Sequence, residues 1–421
     1  MSTENTNASQ HPAHFVDSAR LARRIDELAQ IGAYSSTGVD RQALTPGDAQ
    51  AQTLLLDWAA QIGMRAQTDA IGNLFLRLEG TDPDAPPVMA GSHIDTQPTG
   101  GQYDGAYGVL AALEAVQAIA QSGQRHRHPI DVVAWMNEEG SRFAPGMSGS
   151  SVYAGARSLE QTLAVTDAHG VSIADALAQV RAAMPALPMR ELRSPVAAYI
   201  EPHIEQGTVL EAAGLSVGVV TTMQGKLTFR VTVDGEAAHA GTVPLSRRKD
   251  ALLAALRCVQ EMSERFHDEN DVLRLTVGRF SVVPGAPSVV PSQVVFSIDM
   301  RHPDSAHLQR LGQQVSSLCE DVAGPCKVAV ELLSSAQSLD FDTGICRLLH
   351  QAADFLKIDT LDLPSTAGHD SRYLSDICAT GMLFIQCRDG QTHNDLEYAA
   401  PSHMADGARV LAHALFELAR D

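Results

Sequence analysis

Short apolar runs alternate with stretches of helical periodicity along the first half of the chain. Phe15, Ala19, Leu21, Ala22, Ile25 and Leu28 recur at helical spacing and predict a helix over 15–31, with a second over 48–62. Residues 70–78 read as a hairpin turned at Gly72-Asn73. Residues 87–90 form an apolar run that reads as a buried strand, and Val109, Leu113, Val116 and Ala120 then mark one face of a helix. Residues 130–136 and 196–200 read as further buried strands, with a helix over 173–183 between them. This alternation predicts an α/β sheet with its chemistry at the strand ends.

The texture changes near Leu215. Residues 227–233 alternate apolar and polar positions, as does a strand with one face exposed, and 235–242 is a loop. Leu252, Leu256, Val259, Met262 and Phe266 stripe an amphipathic helix over 250–266. Strands over 273–283 and 293–301, a helix over 306–322 and a last strand over 327–333 complete a ferredoxin-like α+β pattern. Past Asp340 the chain returns to buried segments, with a strand at 381–385 and an amphipathic helix over 402–418. A chain of 421 residues is long for one core. The expected organisation is therefore a mixed-sheet catalytic domain in two parts, 1–213 and 334–421, interrupted by a smaller domain over 214–333.

Composition narrows the partners. Lys plus Arg total 31 against 50 Asp plus Glu, a net charge of -19, which argues against nucleic acid or an anionic membrane. The six cysteines show no CxxC pair and are scattered through the chain, so reduced thiols are expected. Residues 1–14 are polar and read as neither signal peptide nor membrane span, and no run of about 18 apolar residues occurs. A cytoplasmic location is the expectation.

The chain is organised around GSHIDTQPTGGQYDG, residues 91–105. His93 and Asp95 follow the first buried strand, and Asp104 arrives on a glycine-flanked turn. These residues can be metal ligands, or His93 and Asp95 can tie down a loop by hydrogen bonds. Glu138 and Glu139 end the strand 130–136, where successive side chains of an extended backbone would face opposite ways. One could bind a metal while the other serves as a general base, or both could belong to a solvated acidic loop. His203 lies just past the apolar run 196–200, and His393 sits in the polar loop 390–398. Taken together, His93, Asp104, Glu139, His203 and His393 are five N/O donors with one carboxylate to share. They suit two divalent ions about 3.5 Å apart, with zinc, manganese, cobalt or nickel compatible.

GSHIDTQPTGGQYDGAYGV, NEEGSRF, EPHIEQG, GEAAHAGTVP with RRKDA, FSIDMRHPD, AGHDS and THN follow one another along nearly the full chain. In these motifs the chain resembles the N-carbamoyl-L-amino-acid hydrolase, β-ureidopropionase and allantoate amidohydrolase group of the dinuclear-metal aminoacylase/carboxypeptidase superfamily. The resemblance implies that Asp104 bridges both metals, with His93 and His203 completing one site and Glu139 and His393 the other. It implies Glu138 as the general base that generates a metal-bridging hydroxide, and Asp95 as the group that orients His93. His239 would reach a partner subunit's site and stabilise the oxyanion. Gln206, Arg301 and His369 would contact substrate, Arg301 by a bidentate grip on its carboxylate. The inserted domain would be the dimerisation domain and lid of a homodimer. Read alone, His239 is also an ordinary loop histidine, Arg301 a partner for Asp299 or Asp304, and His369 and Asp370 the bonds of a tight turn. His403 lies near His393, and the THN match selects His393.

One position departs from the family. Many members carry Asn before the Val-Val/Ile-Pro of the last strand pair, at the substrate's carboxylate end, where this chain has Ser288. The expected activity is hydrolysis of an N-carbamoyl-L-amino acid or N-carbamoyl-β-alanine to the amino acid, carbon dioxide and ammonia. Alternatives are an allantoate amidohydrolase, an N-acyl-amino-acid or peptide hydrolase, and, from another class, an inert dimeric binding protein.

Overall fold

The computed structural model describes residues 10–420. Residues 1–9 of the polar stretch 1–14 lie outside the described residues. None of the described helices is long and apolar enough to cross a membrane. The chain forms two compact units, Met1–Thr221 with Phe341–Asp421, and Thr222–Asp340. These limits differ from the expected 213/214 and 333/334. Val217–Met223 is still a strand paired with Ala379–Ile385 of the first unit, and the strand expected over 327–333 runs on to Ala336.

In the first unit, helix Ser18–Ala29 starts later than its apolar pattern suggests. Asp17 caps it, its carboxylate accepting from the Ala19 and Arg20 amides, and Pro12–Phe15 makes a separate 3-10 turn. Helix Pro46–Gln61 is capped by Thr45. The expected hairpin exists, but its first strand lies upstream: β1 (Arg65–Thr68) pairs antiparallel with β2 (Leu74–Leu78). Asp69 shapes the turn by accepting from the amides of Ile71, Gly72 and Asn73, so Ala70 and Ile71 are loop. There follow β3 (Val88–His93), β4 (Ile130–Trp135), β5 (Ala198–Ile204) and β6 (Val217–Met223).

The second unit holds β7 (Gly225–Asp234), β8 (Ala238–His239), β9 (Arg274–Thr276), β10 (Phe280–Val283), β11 (Val289–Val290), β12 (Gln293–His302) and β13 (Lys327–Ala336). The strand expected over 273–283 is thus broken into β9 and β10, both antiparallel to β12. The order β10-β12-β7-β13 is that of a ferredoxin-like antiparallel sheet. Leu227, Phe229, Val231 and Val233 of β7 point alternately into a core shared with helices Ala251–Arg265 and Ser305–Val322. The chain then adds β14 (Leu339–Asp340), β15 (Asp362–Ser365) and β16 (Ala379–Ile385).

The main sheet of the first unit has the order β1-β2-β4-β3-β5-β16-β6. Its centre is parallel, β3 with β4 and β5, and β16 with β5, while β2 and β6 run against their neighbours. Strands β3, β4, β5 and β16 therefore end on the same edge, where open α/β sheets place their ligand sites. Helix Ala106–Ser122 is buried on every side from Ala106 to Ile119, with Ala120 exposed. Its one carboxylate, Glu114, accepts from the Asp17 amide at 2.7 Å and from Arg20 at 2.6 and 2.7 Å. A buried charge so paired joins the first helix to the central one.

Candidate metal centre and active site

Four parallel strands deliver the candidate residues to their common edge. His93 is the last residue of β3, and His203 stands in β5, one residue before its end rather than beyond it. Glu138 and Glu139 follow β4 on a bend and not on extended backbone. Asn137, at φ +55°, turns the chain there, and its side chain is held by the Phe143 carbonyl and Ser148 hydroxyl. His393 follows β16 at φ +57°. Asp104 ends the loop before helix Ala106–Ser122. Gly105 sits at φ +63°, where an added Cβ would fall 2.3 Å from the His93 ring, so only glycine lets Asp104 approach that imidazole.

Two triads share Asp104. Ligand atoms of His93, Asp104 and His203 lie within 4.8 Å of one another, and so do those of Asp104, Glu139 and His393. His203 Nε2 and His393 Nε2 each stand 3.1 Å from an Asp104 oxygen, Oδ1 and Oδ2 respectively. His93 Nε2 is 3.9 Å from Asp104 Oδ1 and 3.6 Å from Glu138 Oε2, while Glu139 Oε2 is 3.7 Å from His393 Nε2. The adjacent glutamates thus face opposite ends of the group.

Tautomers follow from the backbone. His93 Nδ1 contacts the Asp95 carbonyl at 2.9 Å and His203 Nδ1 the Ile204 carbonyl at 2.9 Å. A carbonyl only accepts, so both Nδ1 atoms carry hydrogen and both Nε2 lone pairs face inward. At His203 the Gly105 amide also donates to Nε2, at 3.2 Å. Inward lone pairs against a carboxylate repel unless a cation or proton lies between them, which is the environment a metal requires. The donor set fits divalent ions.

The titration behaviour carries the same information. Burial alone would raise Asp104, but with a proton between it and His203 or His393 the hydrogen bonds and charge of the imidazolium outweigh burial and hold the carboxyl well below its usual range. Burial, with Asp370, Glu139, Asp95 and Asp104 nearby, lifts Glu138 well above its ordinary value. Burial likewise pushes Glu139 up to about 7 and His93 down to about 4. The hydrogen bond to Asp104 raises His393 to about 9. Crowded carboxylates of this kind ionise readily beside divalent cations.

Asp95 acts differently from expectation. Its carbonyl orients His93, whereas its carboxylate is 3.7 Å away from that ring and accepts from the Glu138 and Glu139 amides at 3.2 Å each. It sets the glutamate bend. Gln206, at φ +57°, donates to Asp104 Oδ2 at 2.9 Å, and its own Oε1 is buried without a partner. His369 is buried against His203, ring centroids 4.4 Å apart, with Nε2 unpartnered.

Three residues escaped the sequence reading. Glu397 accepts from the Tyr103 and Asp104 amides at 2.7 and 3.0 Å, and the Thr392 hydroxyl, 3.0 Å from Glu397 and 2.9 Å from Asp104, gives its one hydrogen to one or other of these carboxylates. Gln97 donates to Glu139 at 2.6 Å. Their signal was present in TQP and THNDLE, next to ligand candidates, but polar loop residues look alike without their partners.

His239, Ser288 and Arg301 lie in the second unit. His239 pairs with Val289 across β8 and β11, and the Ser288 carbonyl accepts from the Ala240 amide at 3.0 Å. Arg301, near the end of β12, donates to Asp299 at 2.8 Å.

An α/β sheet whose parallel strand ends gather imidazoles and carboxylates around one shared aspartate defines a metallohydrolase class of site. Residues 89–417 match the profile of Peptidase family M20/M25/M40. An N-carbamoyl-L-amino-acid amidohydrolase of Rhizobium meliloti is 37% identical, the alignment covering 96% of this chain and 97% of that one. The allantoate amidohydrolase of Bacillus subtilis is 32% identical over 94% and 96%, and the ureidoglycolate hydrolase of Arabidopsis thaliana 32% over 96% and 87%. A hydantoinase/carbamoylase-family amidase of Burkholderia vietnamiensis, solved by crystallography, superposes with a TM-score of 0.86 at 40% identity, covering 96% and 98%. The chain belongs to this M20 family, in its hydantoinase/carbamoylase amidase branch, and is a hydrolase of C–N bonds in linear amides and ureides.

Proposed function

We propose that the protein hydrolyses an N-carbamoyl amino acid to the amino acid, carbon dioxide and ammonia. The observation that carries this reading is the pair of triads sharing Asp104, with imidazole lone pairs turned toward its carboxylate. In this reading His93, Asp104 and His203 hold one divalent ion, and Asp104, Glu139 and His393 a second. Bound there, the ions supply Lewis-acid polarisation of the ureido carbonyl and acidify the attacking water. Glu138 takes the proton from that water as its oxygen bonds to the ureido carbon, then delivers it to the departing nitrogen as the C–N bond breaks. Gln206 and His369, beside Asp104 and His203, line the reacting end of the substrate. The cysteines are all free, which suits a cytoplasmic enzyme.

The inserted unit supports a homodimer with shared sites. His239 and Ser288 lie near the entry to β12 and Arg301 near its exit. The ten residues of β12 span roughly 30 Å at about 3.3 Å per residue. A small ureido acid cannot touch both ends, so Arg301 would grip the substrate carboxylate in one site while His239 and Ser288 serve another. His239 would donate to the developing oxyanion, and Ser288 to the carboxylate end with a shorter reach than asparagine. We expect His239→Ala to lower kcat by about 10²–10³-fold. Mixed dimers of His239→Ala and Glu138→Gln chains should recover part of the activity, because one of their two sites regains both groups. No recovery would remove the shared site.

The deciding experiment is ammonia release by the manganese- or zinc-loaded protein from N-carbamoyl-L-amino acids, N-carbamoyl-β-alanine, allantoate and ureidoglycolate. Preference for a carbamoyl compound is the expected result. Preference for allantoate or ureidoglycolate would replace the proposed substrate, and turnover confined to N-acyl or peptide substrates would overturn it.

A further inference from the structure

A second cluster of metal-binding side chains lies where the N-terminal segment meets the last helix, apart from the strand-end group. Helix Pro401–Arg420 carries His413 and Glu417 one turn apart on one face. His11 precedes the 3-10 turn Pro12–Phe15 and stacks on His413, ring centroids 4.6 Å apart and planes inclined by 29°. Ligand atoms of His11, His413 and Glu417 lie within 4.8 Å of one another. His413 is only 9% exposed. His11 Nε2 and His413 Nδ1 are both buried without a hydrogen-bond partner. Buried unpaired nitrogens give up their bonds to water and gain nothing in return. Two such atoms in one small cluster, with a carboxylate beside them, form an arrangement that one cation satisfies at once.

We propose that His11, His413 and Glu417 bind a further divalent transition-metal ion, zinc being the ion that this N,N,O donor set suits best. Zinc accepts two imidazoles and a carboxylate and keeps its remaining position for water. Neutral imidazole is the ligating form, and the surroundings favour it. Burial first, then His413, His14 and Arg420, lowers His11 to about 4, and burial followed by Arg420 lowers His413. Phe355 packs against both rings at 4.8 Å and limits the water that reaches them. A surface cleft of about 750 Å³, lined in part by His14, Val16 and Phe355, shares Phe355 with this place. Arg420, 2.8 Å from Glu417, fixes the carboxylate. Ligation through His11 Nε2 places the ring hydrogen on Nδ1, so the long contact from the Ala13 amide, 3.3 Å, opens when the ion enters. The ion would staple the segment ahead of the first helix to the last helix, which gives it a role in stability and not in turnover.

The test starts from the metal-depleted full-length protein, titrated with zinc by calorimetry and counted by elemental analysis after desalting. The proposal expects about three equivalents per chain in the wild type and about two in His11→Ala and in His413→Gln, with ureide hydrolysis retained. His11→Ala alters a half-buried residue outside the helix, so it keeps the test valid if His413→Gln fails to fold. Zinc beyond two equivalents should raise the melting temperature of the wild type and leave that of His11→Ala unchanged. Equal zinc counts in wild type and His11→Ala would overturn the proposal and assign the space to a bridging water. Asp104→Asn separates this result from the active-site reading, because it should empty the strand-end group and spare the third equivalent.

Discussion

Glu138→Gln is expected to lower kcat by about 10³–10⁴-fold while the protein keeps its metal content, its fold and nearly its KM. Glutamine matches the shape of the carboxylate and cannot take a proton, so the change removes one chemical act. The geometry explains why metals should stay. Glu138 approaches the group at His93, 3.6 Å away, and it belongs to neither triad around Asp104. Its backbone amide, which Asp95 holds at 3.2 Å, is unaffected by the substitution. Burial first, and then the negative charge of Asp370, Glu139, Asp95 and Asp104, raises the proton affinity of this carboxyl. Single-turnover kinetics and elemental analysis on one preparation check the outcome. Turnover within tenfold of wild type would end the assignment of Glu138 as base. Loss of metal together with activity would make it a ligand instead.

How legible this site was depended on which level of structure placed each residue. His93, Glu139 and His203 were legible as candidates because buried apolar runs locate the ends of parallel strands, where an imidazole or carboxylate has few structural uses, and Asp104 because it stands on a glycine-flanked turn between such a strand and a helix. The ferredoxin-like unit was legible for a related reason: β7 is buried at every second position, and its helices carry single stripes. Helix Ala106–Ser122 was harder, since a helix buried on all sides has no polar face to define its phase. The bend at Asn137 was invisible to an alternation argument, because a left-handed residue right after a strand abolishes the alternation. The two glutamates diverge through that bend and through the Asp95 carboxylate. Glu397 and Gln97 illustrate the remaining gap. Their importance comes from two loops meeting in space, the turn 100–105 and the segment 392–397, and no spacing along the chain encodes that meeting. The resemblance to a family identified the ligand candidates and Asp95, whereas Glu397, Thr392 and Gln97 came only from the coordinates.

Asp104→Asn should have the largest effect of any single change, because Asp104 alone belongs to both triads. An amide keeps the shape and offers one neutral oxygen in place of two charged ones. The Nε2 atoms of His203 and His393 approach different oxygens of this carboxylate, Oδ1 and Oδ2, at 3.1 Å. The asparagine nitrogen must occupy one of those positions, where it donates to an imidazole and blocks an ion. The bonds from Gln206 and Thr392 to Oδ2 then conflict with the amide if that position carries the nitrogen. Both strand-end ions should be lost on dialysis, and activity should fall by more than about 10⁴-fold, beyond what loss of the general base alone removes. The fold should persist, because the Glu397 carboxylate still ties the Tyr103 and Asp104 amides through the backbone. A second measurement distinguishes a lost metal site from a damaged protein. An ion that binds the native state stabilises it in proportion to its occupancy, so the wild type should melt higher with added manganese than without. The variant should melt close to the metal-free wild type and gain little from manganese. A variant that retained two strand-end ions and a manganese-dependent rise in melting temperature would show that the triads are not joined through Asp104.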